Sequence, residues 1–301
     1  MGHWRYTESY SPVRLSIVPL QFAFQARGPV WFPPGKAANI FRGAFGTILR
    51  KIACDPHCVG AADCPIARNC AYARMFEPKA HGSGPSGFEN QPRPFVLWAA
   101  SLNGRRFEAG ERFILQVNVF DPDFPAFEYL RLASEQLGSE GLGPGRAPVE
   151  IVEARKLPPI DVSLAPAADA APKVRVQFLT PTELKSGGAI LREPRFDVLL
   201  ARARDRVSAL CSLYQDALPD LDYRGMGQRA AAVKMTSARV EEVEFERRSS
   251  RTGQRHGLGG FVGVAEYEGQ LAEFVPWLEA AEWVGVGRLT VWGNGRVKIS
   301  T

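Results

Sequence analysis

One order of elements, strand, helix, strand, strand, helix, strand, is written twice along this chain, once on each side of a proline-rich stretch. In the first copy residues 13–24 read as a strand. Residues 37–52 then place Ile40, Phe41, Ala44, Phe45, Ile48, Leu49 and Ile52 on one helical face. Strand-like runs follow at 94–99 and 112–119, then a helix near 124–137 and a strand near 148–152. In the second copy KVRVQFL at 173–179 alternates as a strand, and Phe196, Leu199, Leu200, Ala203, Val207, Leu210 and Tyr214 form a helical stripe. Strands are expected at 233–245 and 261–267, a helix at 271–283 and a closing strand at 289–299. A split βαβ pattern of this kind builds a ferredoxin-like domain, whose helices cover one face of the sheet and leave the other open to a ligand. The expected fold class is α+β, two tandem ferredoxin-like (βαββαβ) domains with a cysteine-rich insertion in the first. Two unrelated α+β domains are the alternative.

Residues 157–172, LPPIDVSLAPAADAAP, hold four prolines and no aromatic. Proline fixes its own φ and drives its predecessor out of the helical region, so this stretch reads as a linker between domains 1–156 and 173–301. With 45% hydrophobic residues in 301 there is side chain enough for a core on each side. The 37 basic residues against 32 acidic ones, a net charge of +5, exclude an acidic solvating chain. The longest apolar runs, such as 95–100, fall far short of the roughly 18–20 residues that cross a bilayer, and MGHWRYTESY lacks a signal-peptide core. A cytoplasmic protein with no membrane partner is expected.

Cys54, Cys58, Cys64 and Cys70 give C-x3-C-x5-C-x5-C inside the insertion, which spans about 53–92. Clustering this dense in a cytosolic chain argues against disulfides and for a metal. Structural zinc is the first expectation, an iron–sulfur cluster the alternative, and reduced metal-free thiols the third reading. Four thiolates leave no open position, so such an ion would not be catalytic. Cys211, on an apolar helix face, is expected to fill core.

Six stretches in order resemble the CRISPR repeat-processing endoribonucleases of the RAMP superfamily. They are FRGAFGTILR (Phe41–Arg50), CAYARMFEP (Cys70–Pro78), GLGPGRAPVEIVE (Gly141–Glu153), VQFLTPTELKSGG (Val176–Gly188), RRSSRTGQRHGLGGFVGVAEYEG (Arg247–Gly269) and VGVGRLTVWGNGRVKI (Val284–Ile299). Each glycine cluster alone is only a turn signal. Six in sequence on a doubled βαββαβ frame carry the resemblance. It departs from the family at the terminal loop, where relatives read more like His-Val-Gly-Lys-Gly and Arg288 is the cation kept here. No histidine lies between His3 and His57, where some relatives carry a catalytic one.

The resemblance implies a metal-independent cut, in which a ribose 2′-OH attacks the adjacent phosphate and leaves a 2′,3′-cyclic phosphate and a 5′-OH. Such a reaction needs a base or dipole for the 2′-OH proton, cations for the phosphorane and an acid for the leaving oxygen. Candidate catalytic residues are Arg42, Lys36, Arg27 and His81. Arg42, Gly46 and Arg50 recur at i, i+4 and i+8, so the two arginines are expected on an exposed helix face that an RNA could approach. Lys36 stands at the helix entrance, where the dipole already favours an anion. Residues 247–256 hold four arginines and a histidine with no acid. Arg247, Arg248, Ser250, Arg251, Arg255 and His256 are therefore expected on phosphates, with Arg50, Arg288, Arg296 and Lys298.

The reading is an endoribonuclease that cuts CRISPR precursor RNA within its repeats and can stay on the product crRNA, with CRISPR effector subunits as further partners. A non-catalytic crRNA-binding RAMP subunit is the first alternative. A metal-stabilised protein-interaction adaptor is the second.

Overall fold

The computed structural model describes residues 13–54, 58, 60, 64–67, 69–78, 91–143, 145–168, 172–217, 220–248 and 255–301. Its first half contains β1 (Arg14–Ala26), β2 (Val30–Trp31), α1 (Ala37–Ala53), α2 (Ala71–Phe76), β3 (Phe95–Trp98), β4 (Arg106–Phe107), β5 (Arg112–Val119), α3 (Ala126–Glu140), β6 (Val149–Lys156) and β7 (Ile160–Ser163). The second contains β8 (Lys173–Thr182), β9 (Lys185–Ser186), β10 (Ala189–Ile190), α4 (Phe196–Tyr214), α5 (Tyr223–Ala230), β11 (Lys234–Val243), β12 (Glu246–Arg248), β13 (Arg255–Gly257), β14 (Gly260–Glu268), α6 (Val275–Val284) and β15 (Val297–Ser300).

The two main sheets run β3-β5-β1-β6 and β11-β14-β8-β15, antiparallel throughout. Each follows the same rule: the first strand of its copy lies between the third and the fourth. That is the ferredoxin-like order, repeated in tandem. Strict alternation carries the second sheet, since β8 buries Val174, Val176 and Phe178 and turns Lys173, Arg175 and Gln177 outward. The 13-residue β1 serves both cores. Its Leu15 and Ile17 pack with the second half's residues, while Leu20, Phe22 and Phe24 pack with the first half's.

Three local expectations are corrected. The stretch 157–172 is not all connection, because Ile160–Ser163 pairs antiparallel with Arg14–Ile17 and Leu164 is buried. The alternation of Ile160 and Val162 with Asp161 and Ser163 outweighs the flanking prolines. The closing strand is only Val297–Ser300, since Gly285, Gly287, Leu289, Gly293 and Gly295 all take positive φ and Thr290–Trp292 winds into a short 3-10 turn. A strand cannot run through such backbone. The last main helix starts at Val275 rather than 271, with Pro276 in its first turn, where a missing N–H costs nothing.

Side chains from the end of α4 bind the two halves together. Gln215 donates to the carbonyls of Ser16 and Phe120 at 2.7 and 3.0 Å and accepts from the Ser16 N–H at 3.0 Å. The Tyr214 hydroxyl donates to the Pro92 carbonyl at 2.7 Å. Within the second half, Arg206, buried and with its pKa lowered by that burial to about 10, donates to the Val284 carbonyl and ties α4 to the end of α6. No helix among the described residues is long and apolar enough to cross a membrane.

Candidate functional site

Around the entrance of α1, pieces from distant parts of the chain meet. The turn before the helix is fixed locally: the Lys36 N–H donates to the Pro33 carbonyl at 3.1 Å, and the Asn103 side chain accepts from the Ala37 N–H at 3.0 Å. Gly35, at φ +69°, lies under the Phe245 ring, where an added Cβ would sit 2.6 Å from the ring carbons. Phe245 stands at the foot of the β12–β13 hairpin, so that hairpin rises beside the helix entrance. Gly293 of the terminal loop leaves room for Ala38 of α1, since a Cβ there would come within 2.6 Å of the Ala38 Cβ. Val291 is buried in the first half's core. The buried Asn294 side chain donates to the Leu258 carbonyl at 3.0 Å, tying the loop to the hairpin as well. On the other side Gly143, in the glycine-rich turn before β6, contacts Ile40.

The cations are unequally engaged. Lys36 is half-buried at the helix start, with no side-chain cap accompanying it. The Arg42 guanidinium lies between two rings, 5.8 Å from the centre of Phe76 and 5.3 Å from that of Trp292. Arg50 donates to the Cys58 carbonyl. The expected exposed face is therefore corrected: Arg42, Gly46 and Arg50 are half-buried, and α2 lays Phe76 about 3.2 Å from where a Gly46 Cβ would sit. Gly43 and Thr47 take the exposed positions instead, and Ile52, expected inward, is exposed. Arg27 pairs with Glu150 at the end of β1, and Arg288 pairs with Glu183.

The hairpin sets Arg247 directly opposite His256, and Arg248 opposite Arg255. Ser250 and Arg251 lie outside the described residues, as do His81 and His57.

A second feature escaped the sequence reading. Between the two halves a cleft of about 630 Å³ is lined by Gln21, Trp98 and Gln116 of the first and Trp283, Arg296 and Lys298 of the second, among others. The Arg296 guanidinium stacks 5.4 Å over Trp98, and burial lowers its pKa against the pull of Glu282. Lys298 is 3.3 Å from Glu282. Aromatic faces, amides and a desolvated guanidinium suit a flat, hydrogen-bonding ring. Arg296 and Lys298 were expected on RNA from the sequence, whereas nothing in it brought Trp98, Trp283 and the two glutamines to the same place.

Cys54 and Cys70 lie with their sulfurs 3.7 Å apart, and Cys64 packs in the same small cluster. Burial, then the Cys58 and Cys70 thiols, push the Cys54 thiol up to about 12. A Gly60 backbone hydrogen bond lowers Cys58. Among the described residues no group of three or more potential ligands is assembled to hold a metal ion.

Residues 15–169 match the family model AF_1859_N, an N-terminal domain, and residues 176–297 match that of the CRISPR-associated endoribonuclease Cas6. No curated protein matches the chain. Among solved structures, a Cas6 product complex is similar at 16% identity over 94% of this chain and 100% of that one, with a TM-score of 0.58. Thermus thermophilus Cas6 is similar at 14% identity over 96% of this chain and 100% of that one, with a TM-score of 0.52. A partial Cas6-RT-Cas1–Cas2 complex contains a chain similar at 10% identity over 95% of this chain and 46% of that one, with a TM-score of 0.58. At such identities the likeness establishes the tandem ferredoxin-like fold.

Proposed function

We propose an activity on one premise: the chain belongs to the CRISPR repeat-processing family of the RAMP superfamily, a family of RNA-cleaving enzymes. It cuts CRISPR precursor RNA within the repeat by attack of a 2′-OH on the neighbouring phosphate, with no catalytic metal. The observation that carries this reading is the basic ribbon β12–β13, whose cationic positions oppose one another in register beside the entrance of α1. A phosphate chain paired with the arginines of this ribbon is led to the helix entrance, where Lys36 and the helix dipole favour an anion. Arg42, held between Phe76 and Trp292, is the cation for the charge that develops on the phosphorane. In the cleft between the sheets, Trp98 and Arg296 receive an unpaired base. The product crRNA stays bound and is passed to other CRISPR effector subunits.

A non-catalytic crRNA-binding subunit is the second reading. What favours it is the lack of any histidine from residue 4 to 56 or after His256, which removes the usual proton carrier from both the first helix and the terminal loop. Incubating the protein with repeat RNA in EDTA separates the two. Fragments ending in a 2′,3′-cyclic phosphate support cleavage, and salt-dependent retention of uncut RNA supports the binder. Neither cleavage nor retention would refute both and leave the protein-interaction adaptor.

A further inference from the structure

The second sheet ends on an open edge. Among the described residues β11 is paired with β14 alone, so one side of this 10-residue strand carries backbone donors and acceptors that no other strand takes up. Its pairing is regular from Ser237 to Val243, and the register shifts between Met235 and Ser237, where a bulge closes the regular run. Val240 is the middle of that run.

Glycines on the neighbouring segment show which groups face outward. A Cβ added at Gly263 would strike the Arg239 carbonyl oxygen, and one at Gly259 would come within 3.0 Å of the Val243 carbonyl oxygen, so both carbonyls point toward the β14 side. Successive residues of a strand turn their N–H and C=O groups to opposite edges. Ala238, Val240 and Glu242 therefore offer theirs to the open edge.

The side chains along this edge suit a second copy of the same strand. Arg239, Glu241 and Glu242 are exposed, and Val240 is half-buried against the second half's core. Laid antiparallel about a two-fold axis at Val240, two copies set Arg239 of each opposite Glu241 of the other, and Val240 opposite itself. Arg239 and Glu241 lie beside Val264 and Val262, on one face of the sheet, as directly opposed residues must. Ala238 falls opposite Glu242 and Ser237 opposite Val243, so no like charges meet along the run. Edge strands are guarded by charge when the charges repel a second copy. Here the two signs stand on either side of the centre, so they select one register rather than block pairing.

We propose that β11 is a self-complementary docking edge, through which two copies of this chain join their second sheets into one continuous antiparallel sheet with Val240 at the two-fold axis. A contact of this width is small for an interface, so the dimer is weak and forms as concentration rises. It is independent of whether the chain cleaves RNA.

The test is sedimentation velocity of the full chain, freed of nucleic acid, at concentrations rising into the high micromolar range. The parent should pass from monomer to dimer. Arg239→Glu and Glu241→Arg each replace two attractions by two repulsions, and each should raise the dissociation constant about tenfold or more. The double variant, with the two charges exchanged, should recover dimerisation, which a strand merely destabilised by substitution would not. Circular dichroism checks that each variant is folded. Amide exchange of the parent needs no substitution: the N–H groups of Ala238, Val240 and Glu242 should exchange more slowly as the dimer forms, while that of Arg239, turned into the sheet, is slow throughout. A chain that stays monomeric overturns the proposal, as does a dimer indifferent to both reversals or a double variant that stays apart. Protection that rises with concentration elsewhere but not at Val240 overturns it equally.

Discussion

Replacing Gly293 by alanine tests whether the terminal loop owes its place to contact with α1. Two costs are expected. An L-residue at φ +87° is strained by about 1–2 kcal/mol. The new methyl would also lie 2.6 Å from the Ala38 Cβ and 3.2 Å from the Leu97 carbonyl oxygen, which forces helix and loop apart at an overpacking cost of about 1–3 kcal/mol. Gly188 provides the control. It has nearly the same φ, +86°, but nothing within 4 Å of its virtual Cβ, so Gly188→Ala carries the strain without the clash. The change in unfolded-state entropy is common to both variants and cancels in the comparison. Gly293→Ala should therefore be less stable than Gly188→Ala by about 1–3 kcal/mol in urea unfolding followed by tryptophan fluorescence. It should also lose affinity for repeat RNA, while Gly188→Ala keeps it. Equal stabilities for the two variants would refute the packing of the loop on the helix, and with it the assembly of the site around α1.

Arg247→Ala, Arg248→Ala and Arg255→Ala combined should flatten the salt dependence of RNA binding by about 0.7 in log–log slope for each phosphate no longer neutralised, and an unchanged slope would remove the ribbon from the interface. Arg42→Ala should lower single-turnover cleavage about 10²-fold, with Arg42→Lys recovering only part, because a point charge does not stack as a planar guanidinium does. A parent rate in both would make Arg42 structural. Asp121→Ala, which removes a buried carboxylate accepting two bonds from Arg74 at 2.7 and 2.9 Å, should destabilise the fold by about 1–3 kcal/mol by calorimetry. Loss of RNA binding with stability intact would give that pair a functional role instead.

Most of the frame could be read from periodicity because each element buries one face. The stripe of α4 and the alternation of β8 survive almost residue for residue. Failures fall where backbone conformation, not burial, decides. The terminal loop contains Leu289, Thr290, Val291 and Trp292, which read as strand, yet the glycines on both sides hold left-handed φ and turn that apolar run into the first half's core. In 157–172 the prolines hid an alternating tetrapeptide, and a strand of four residues is below what proline counting can resolve.

The site was legible as residue types and much less as geometry, for a physical reason. Helical periodicity identifies the stripe opposite a core, and Arg42, Gly46 and Arg50 do share a stripe, but it says nothing about a second layer laid on that stripe. Here α2 is the second layer, and Gly46 is what admits it: a side chain at 46 would meet Phe76 at about 3.2 Å. The bare backbone at 46 thus admits an aromatic ring, and that ring lies against the Arg42 guanidinium. An arginine between two rings loses hydration and rotamer freedom before any RNA arrives, which is the preorganised state a transition-state charge rewards. Exposure of the helix face would have made Arg42 a better generic phosphate binder and a poorer catalytic cation. The covering of that face therefore suits Arg42 to the proposed chemistry, while the Arg50 guanidinium is engaged within the chain, where it donates to the Cys58 carbonyl.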